Sequence, residues 1–152
     1  MQYPDFVDND TYFRLDRSTS EHEQLTAMTN NLKKVHNLTT RHYDDFEELI
    51  AAYLRAGIDI FQMQTGIVSH INEEKQYIIK DVVTPLVEIL HKNDVFELDG
   101  TYCREVAKSG RTLGFPHVGE MEALNSHPVY QNLKLESYIS APIYVRDTLY
   151  GT

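Results

Sequence analysis

The sequence SYISAPIYVRDTLYGT, residues 137–152, combines two runs of strand-forming side chains with a short polar interruption. Residues 137–145 are rich in aromatic and β-branched side chains, which favour a strand. Arg146, Asp147 and Thr148 predict a turn, and residues 149–152 predict the beginning of a second strand. Two strands joined by so short a turn pair antiparallel, so this segment predicts a sheet with antiparallel strands.

The middle of the chain shows the same pattern. Residues 65–71, TGIVSHI, alternate with a period of two, which places Ser69 on one face with Ile67 and Ile71. After a polar turn, residues 76–83, QYIIKDVV, predict a second strand that pairs back on the first. Shorter extended segments follow at 95–98 and 111–118. All the extended segments together predict an antiparallel sheet of five to six strands.

Two helices are predicted before the sheet. Ser20 and Glu23 have the spacing of a capping box, which predicts a helix over residues 20–41. Residues 46–61 carry the strongest helical apolar stripe in the chain and need a sheet or another helix to cover it. Helices followed by antiparallel strands predict an α+β fold.

The helix over residues 20–41 has an apolar seam about two heptads long, formed by Leu25, Met28, Leu32 and Val35. One interpretation is an amphipathic helix that packs on its own domain. The other is a seam between two chains, which predicts a homodimer through this helix. The sequence leaves both interpretations open.

The length, net charge, apolar runs and cysteine count of the chain limit the class of protein to which it can belong. With 152 residues the chain predicts one domain, and its net charge of −9 argues against nucleic acid as a partner. No apolar run in this sequence is long enough to span a bilayer. Its one cysteine, Cys103, excludes an internal disulfide and a multi-cysteine zinc site, so a reducing, cytoplasmic setting is the expectation.

Three segments together resemble a GAF domain, a sensory module related to PAS domains. The segments are AGIDIFQMQTGIVSHI (56–71), GTYCREVAKSGRTLGFPHVGE (100–120) and NLKLESYISAPIYVRDTLYGT (132–152). The resemblance covers residues 42–152. It implies a GAF/PAS-like sheet flanked by helices, with 1–19 as a lead-in and 20–41 as a long connecting helix.

The sequence most resembles the GAF domains of bacterial, and especially cyanobacterial, signalling proteins with several domains. Histidine kinases of two-component systems and diguanylate cyclases are examples of such proteins. The resemblance therefore implies a sensory domain that binds a small molecule and relays its state through the flanking helices, without enzymatic activity of its own. A ligand-free dimerisation and relay module is the alternative. GAF domains continue beyond the position of Thr152, so we expect a domain cut before its last strand ends. Arg146-Asp147-Thr148 replaces the Asn-Gly or Asp-Gly of tight hairpins, so we expect a longer loop there.

In GAF domains the ligand lies between the open face of the sheet and the crossover helices. The positions of this chain that match that region are the pocket candidates: Ser69, Tyr102, Cys103, Phe115, His117, Tyr130, Tyr138 and Ser140. Tyrosine suits a pocket wall because its ring is apolar and its hydroxyl can form a hydrogen bond. The competing interpretation is that these side chains fill the core.

Other chemistry is disfavoured. A GAF-type free methionine sulfoxide reductase needs several thiols, and this chain has one. In bilin-binding GAF domains a Cys-His pair precedes the last strands; Ser126 stands at the expected cysteine position before His127, which argues against covalent bilin attachment. Cys103 is either a reactive thiol at a helix start or a small buried residue. The spacing of the seven histidines indicates no metal site.

Overall fold

A computed structural model describes residues 20–152, and the predicted lead-in, residues 1–19, lies outside this range. The helices are α1 (Glu21–Thr40), α2 (Phe46–Phe61), α3 (Cys103–Ser109) and α4 (Pro128–Leu133). The strands are β1 (Gly66–Ile71), β2 (Gln76–Val83), β3 (Val95–Glu97), β4 (Leu113–Phe115), β5 (Tyr138–Ser140), β6 (Ile143–Val145) and β7 (Thr148–Gly151). The fold is α+β with antiparallel strands, as the sequence predicts.

Side-chain caps define where the first two helices begin. The Ser20 backbone N–H donates to the Glu23 carboxylate over 2.9 Å, and the Glu23 N–H donates to the Ser20 hydroxyl over 3.3 Å. This confirms the predicted capping box, and the hydrogen bonds from Ser20 lower the pKa of Glu23. At α2, Asp45 accepts from the Glu48 N–H over 2.7 Å.

The strands divide among three sheets, so a single sheet of five to six strands is not confirmed. One sheet has the order β1-β2-β3, and the pairs β4-β5 and β6-β7 form two further sheets, all antiparallel. The register of β1 with β2 shifts between Val68 and Ser69, where β2 contains one extra, unpaired residue, Lys80. Next to this bulge the Ser69 N–H donates to the Thr152 carbonyl over 2.8 Å, which joins the β6-β7 hairpin to β1.

The expectation of a longer loop between β6 and β7 is wrong. Val145 pairs directly with Thr148, so the connection has two residues. Arg146 and Asp147 both adopt left-handed conformations, with φ of 49° and 64°. This is the two-residue connection in which positive φ at both positions matches the twist of the strands, made here without glycine.

The buried side chains form two neighbouring clusters. The first contains Tyr102, Val106, Leu113, Phe115, Val118 and Leu124. The second contains Tyr77, Ile79, Leu98 and Cys103. Tyr138 packs against both, so the crossover segment that carries α3, β4 and α4 is anchored to the sheet around this side chain.

Helix α1 contributes no buried residue. The four side chains of its apolar seam are between 46% and 68% exposed: Leu25, Met28, Leu32 and Val35. The residues that the structure describes therefore leave this stripe uncovered, even though α1 packs against α2 through another face.

Candidate functional site

The interior between the sheet and the crossover segment is an aromatic cluster, formed by Tyr77, Tyr102, Cys103, Phe115, His127 and Tyr138. Tyr102 and Tyr138 meet edge to face with ring centroids 5.4 Å apart, and Phe115 stacks on Tyr138 at 5.3 Å. Tyr102 also meets Phe115 edge to face at 6.0 Å. Such ring pairs stabilise a core beyond the area they bury.

The start of α3 places two members of the cluster side by side. Tyr102 is the residue before the helix and Cys103 is its first residue, and both are buried. Gly110, with φ of 63°, ends the helix after two turns and returns the chain to β4, which carries Phe115. Helix α3 and the turn at Gly110 thus bring the ring of Tyr102 against the ring of Phe115 in β4.

A chain of polar atoms runs through the same interior. The Tyr138 hydroxyl donates to the Cys103 sulfur over 3.3 Å. On the sheet side the Ser69 hydroxyl and the Thr152 hydroxyl lie 3.1 Å apart. Burial, followed by the neighbouring Cys103, raises the pKa of Tyr77 well above its usual value, while hydrogen bonds with Ser69 and Thr152 oppose the shift. The buried hydroxyls are therefore neutral donors and acceptors at physiological pH.

Cys103 lies inside this cluster and is 7% exposed. Burial raises the pKa of Tyr138, with Cys103 as the next cause, so the groups around the sulfur are uncharged hydroxyls. The thiol has no cationic partner among the contacts that the described residues make with it. This environment favours the interpretation of Cys103 as a small buried side chain over that of a reactive nucleophile.

His127 is the exceptional member of the cluster. It precedes α4, and its Nδ1 accepts the Val129 N–H over 3.2 Å, so the ring proton of the neutral imidazole is on Nε2. Nε2 is buried and has no hydrogen-bond partner within residues 20–152. The ring lies 4.8 Å from that of Tyr102.

The environment of His127 keeps the imidazole neutral. Burial lowers its pKa, and the Arg104 guanidinium lowers it further, while the Glu105 carboxylate acts in the opposite direction. The adjacent Tyr102 adds no charge, since burial raises its pKa to about 12. A neutral, buried Nε2–H is a donor that lacks an acceptor, which is rare because it costs about 1–3 kcal/mol.

The structure distributes the eight pocket candidates unevenly. Tyr102, Cys103, Phe115 and Tyr138 are in the aromatic cluster, and Ser69 contacts its sheet side. The remaining three lie at its margin or outside it. Ser140 is partly buried beside Tyr138, Tyr130 packs on the cluster but donates its hydroxyl to Glu136, and His117 is exposed.

Two members of the cluster, Tyr77 and His127, are absent from the sequence-based pocket candidates. The signal for Tyr77 is the register of the first hairpin. Tyr77 pairs with Ile71 and Ile79 with Ser69, so Tyr77 shares the face of Ser69. For His127 the signal is weaker: a histidine directly before a proline can cap a helix, but nothing in the sequence indicates its burial.

Comparison with known proteins gives a consistent result at the level of fold. Neither the models of known protein families nor the curated proteins contain a match. Among solved structures, the GAF domain of A. aeolicus Nlh2 in an inactive state has a TM-score of 0.56 at 21% identity. That match covers 84% of this chain and 76% of the Nlh2 chain. This chain has the fold of a GAF domain.

Two further GAF-fold structures support this assignment. The GAF domain of an Acinetobacter phosphoenolpyruvate-protein phosphotransferase gives a TM-score of 0.58 at 10% identity, over 83% of this chain and 73% of that one. The chromophore-binding domain of Stigmatella aurantiaca phytochrome P1 gives a TM-score of 0.62 at 13% identity. The latter match covers 90% of this chain and 52% of the phytochrome chain, so this chain spans about half of that structure.

The described residues contain neither a bilayer-spanning helix nor a cluster of metal-binding side chains. None of the helices within residues 20–152 combines the length and the apolar character that a bilayer span requires. Over the same range, no three His, Cys, Asp or Glu side chains come together as a metal site requires.

Proposed function

We propose that this GAF domain is a sensory or regulatory module that binds a small molecule at the aromatic cluster. The observation that supports this most is the buried Nε2–H of His127, which has no acceptor among the described residues. A ligand oxygen or nitrogen would complete this hydrogen bond. The free energy that the unpaired donor costs in the empty domain would then be recovered only when the ligand is present.

The surrounding side chains define the chemistry of the ligand. Tyr102, Phe115 and Tyr138 present ring faces and edges, so the ligand is planar or largely apolar and carries a hydrogen-bond acceptor. These rings contact one another, so the ligand enters only when some of them move. Binding therefore selects a more open packing of the sheet and the crossover helices, and this population shift is the signal.

Tetrapyrroles are one class that meets these requirements, and the phytochrome likeness favours them as a first probe. Attachment would be non-covalent. Ser126 is an exposed alcohol at the position expected for the attaching cysteine, and Cys103 is buried on another element. Nucleotides are the second class to test.

The experiment is a titration of the full chain with biliverdin, haem and cyclic nucleotides, followed by thermal unfolding and by visible absorbance. We expect at least one class to raise the unfolding temperature, and we expect His127→Asn to abolish the rise. Asparagine retains an acceptor for the Val129 N–H but lacks the Nε2 donor. His42→Asn, at an exposed histidine outside the cluster, is the matched control. The proposal is refuted if no compound raises the unfolding temperature, or if His127→Asn and His42→Asn reduce the rise equally.

A ligand-free relay dimer is the second candidate. It is favoured by the exposed seam on α1, formed by Leu25, Met28, Leu32 and Val35. Pairing of two such seams would bury these side chains against a second copy of the chain. In sedimentation velocity, Leu32→Asp should shift a concentration-dependent dimer to monomer, whereas Asn30→Asp, on the same helix and off the seam, should not. A wild-type chain that stays monomeric at high concentration excludes this candidate.

We further propose that the domain acts in the cytoplasm as part of a signalling protein of the histidine kinase or diguanylate cyclase type, and that it is not itself an enzyme. The support is the fold together with the absence of a cationic partner at Cys103 among the described contacts. A kinase or cyclase domain encoded in the same reading frame would support this context. Alkylation of Cys103 faster than that of a free thiol would argue against a purely sensory role.

A further inference from the structure

A polar groove lies between α1 and α2, and none of its lining residues belongs to the aromatic cluster. It is open to solvent and has a volume of about 460 Å³. Lys34 and Arg41 border it from the side of α1, and Arg55 and Asp59 border it from α2. The groove is therefore built jointly by the two helices.

The charge of this groove is opposite to that of the whole chain. The chain carries a net charge of −9, yet the groove is lined by three cations and one carboxylate. Lys34 forms an ion pair with Asp59, and Arg41 forms one with Glu48, which leaves a single positive charge in excess. A concave site that is positive on an acidic surface concentrates anions by focusing the local field.

The donors in the groove are incompletely used. Arg41 pairs with Glu48 through one terminal nitrogen, although a guanidinium has five N–H donors. Arg55 is exposed and forms no hydrogen bond or ion pair with the residues that the structure describes. The exposed amide of Asn37 lies on the same side of α1 as Lys34 and Arg41, because residues three, four and seven apart share a helix face.

We propose that this groove binds a small molecule that carries a phosphate group. The guanidinium fork of Arg55 would contact two phosphate oxygens, and Arg41 and Asn37 would donate from the opposite helix. Leu38, which also lines the groove, would provide an apolar surface for the rest of the molecule. The occupant bridges α1 and α2, so it is an effector that holds the seam-bearing helix α1 against the domain.

The test is a calorimetric titration of the full chain with inorganic phosphate and with adenosine monophosphate, at constant ionic strength set by sodium chloride. We expect Arg55→Gln to weaken binding at least about tenfold, since it removes a bidentate charged contact. Lys33→Gln removes the same charge from an exposed residue of α1 outside the groove and should change binding less than about twofold, as a screened distant charge does. Arg55 is exposed, so its replacement leaves the core intact.

Amide hydrogen exchange provides a second readout. With the phosphate compound bound, we expect the amides of α1 to exchange more slowly, and we expect Arg55→Gln to remove this protection. Binding of adenosine monophosphate but not of inorganic phosphate supports the proposal for phosphate esters alone. No binding of either compound, or equal weakening by Arg55→Gln and Lys33→Gln, overturns it. Neither outcome bears on the interior site, which His127→Asn tests separately.

Discussion

At the scale of single residues, His127 combines two roles that depend on the same proton. Its Nδ1 must be unprotonated to accept the Val129 N–H, while its Nε2 carries the buried proton that has no partner within residues 20–152. Protonation of Nδ1 would place two donors against each other at the start of α4 and would bury a positive charge beside Arg104. The neutral ring is therefore required both for the helix cap and for the aromatic cluster.

This leads to a prediction about pH. Because the pKa of His127 is lower in the folded than in the unfolded chain, where it is about 6.5, the folded state binds fewer protons between the two values. The contribution of His127 to stability is present above pH about 6.5 and is lost as the pH falls through the lowered pKa. For one proton the slope of the free energy of unfolding is at most about 1.4 kcal/mol per pH unit.

Urea unfolding at a series of pH values measures this slope. We expect His127→Asn to flatten the decline below pH about 6.5, because its side chain does not titrate, whereas His42→Asn should retain the wild-type profile. The charged groups that act on the ring are Arg104 and Glu105, and Tyr102 stays neutral because its pKa is about 12. Identical profiles for the wild type and for His127→Asn would contradict the assignment of a neutral buried imidazole.

At the scale of elements, the turn of the β6-β7 hairpin is strained, because both of its residues have positive φ and neither is glycine. Arg146 and Asp147 both hold positive φ, where a side chain with a Cβ costs about 1–2 kcal/mol and aspartate somewhat less. Turns of this geometry prefer Asn-Gly. The pairing of Val145 with Thr148 and of Tyr144 with Leu149 offsets this cost, so the strands determine the turn here and not the reverse.

Asp147→Gly should therefore stabilise the protein. Removal of the Cβ removes the energetic cost of the left-handed conformation. The greater entropy of glycine in the unfolded chain offsets part of this gain, so we expect the free energy of unfolding to rise by about 0.5–1 kcal/mol. Urea unfolding measures the gain. Thr148→Gly is the control, since Thr148 is in a strand with ordinary φ and its replacement should destabilise. If Asp147→Gly lost stability, the contacts of the Asp147 side chain would stabilise the fold by more than glycine gains at positive φ.

The same hairpin shows how far the sequence determines the fold and the site. Strand-forming side chains on either side of a short polar turn predict both antiparallel hairpins, and the apolar stripe of α2 predicts that helix, because these signals are local. The predicted strand over 137–145 is divided in the structure into β5, which pairs with β4, and β6, which pairs with β7. The turn type was mispredicted because local preference gave way to the pairing of the strands. Tyr77 and His127 escaped prediction because their burial depends on strand register and on the packing of α4 over Tyr102, which arise only in the folded chain.

At the scale of the whole molecule, a contact between β1 and the end of β7 joins the β6-β7 hairpin to the larger sheet. The backbone of Ser69 meets that of Thr152, and the His70 ring contacts the Tyr150 carbonyl over 2.7 Å. Ser69 also hydrogen-bonds with Thr152 through its hydroxyl, and Tyr77 connects this pair to the aromatic cluster. The junction thus links the hairpin, the three-stranded sheet and the candidate site.

Gly151 makes this junction possible. A Cβ at this position would lie 1.9 Å from the Ser69 carbonyl oxygen, a backbone atom that cannot move without displacing β1. We expect Gly151→Ala to lower the free energy of unfolding by about 1–3 kcal/mol, as other insertions into close-packed regions do. It should also accelerate hydrogen exchange of the Ser69 amide, which donates to Thr152.

Gly57→Ala is the matched control for this prediction. A Cβ at Gly57 meets no atom within 4 Å, and the residue lies inside α2, where alanine is favoured over glycine by about 1 kcal/mol. The same substitution should therefore stabilise the protein at one glycine and destabilise it at the other. If both variants gained stability, the close approach of the hairpin to β1 would not exist in solution, and the hairpin would be free to move independently of the sheet.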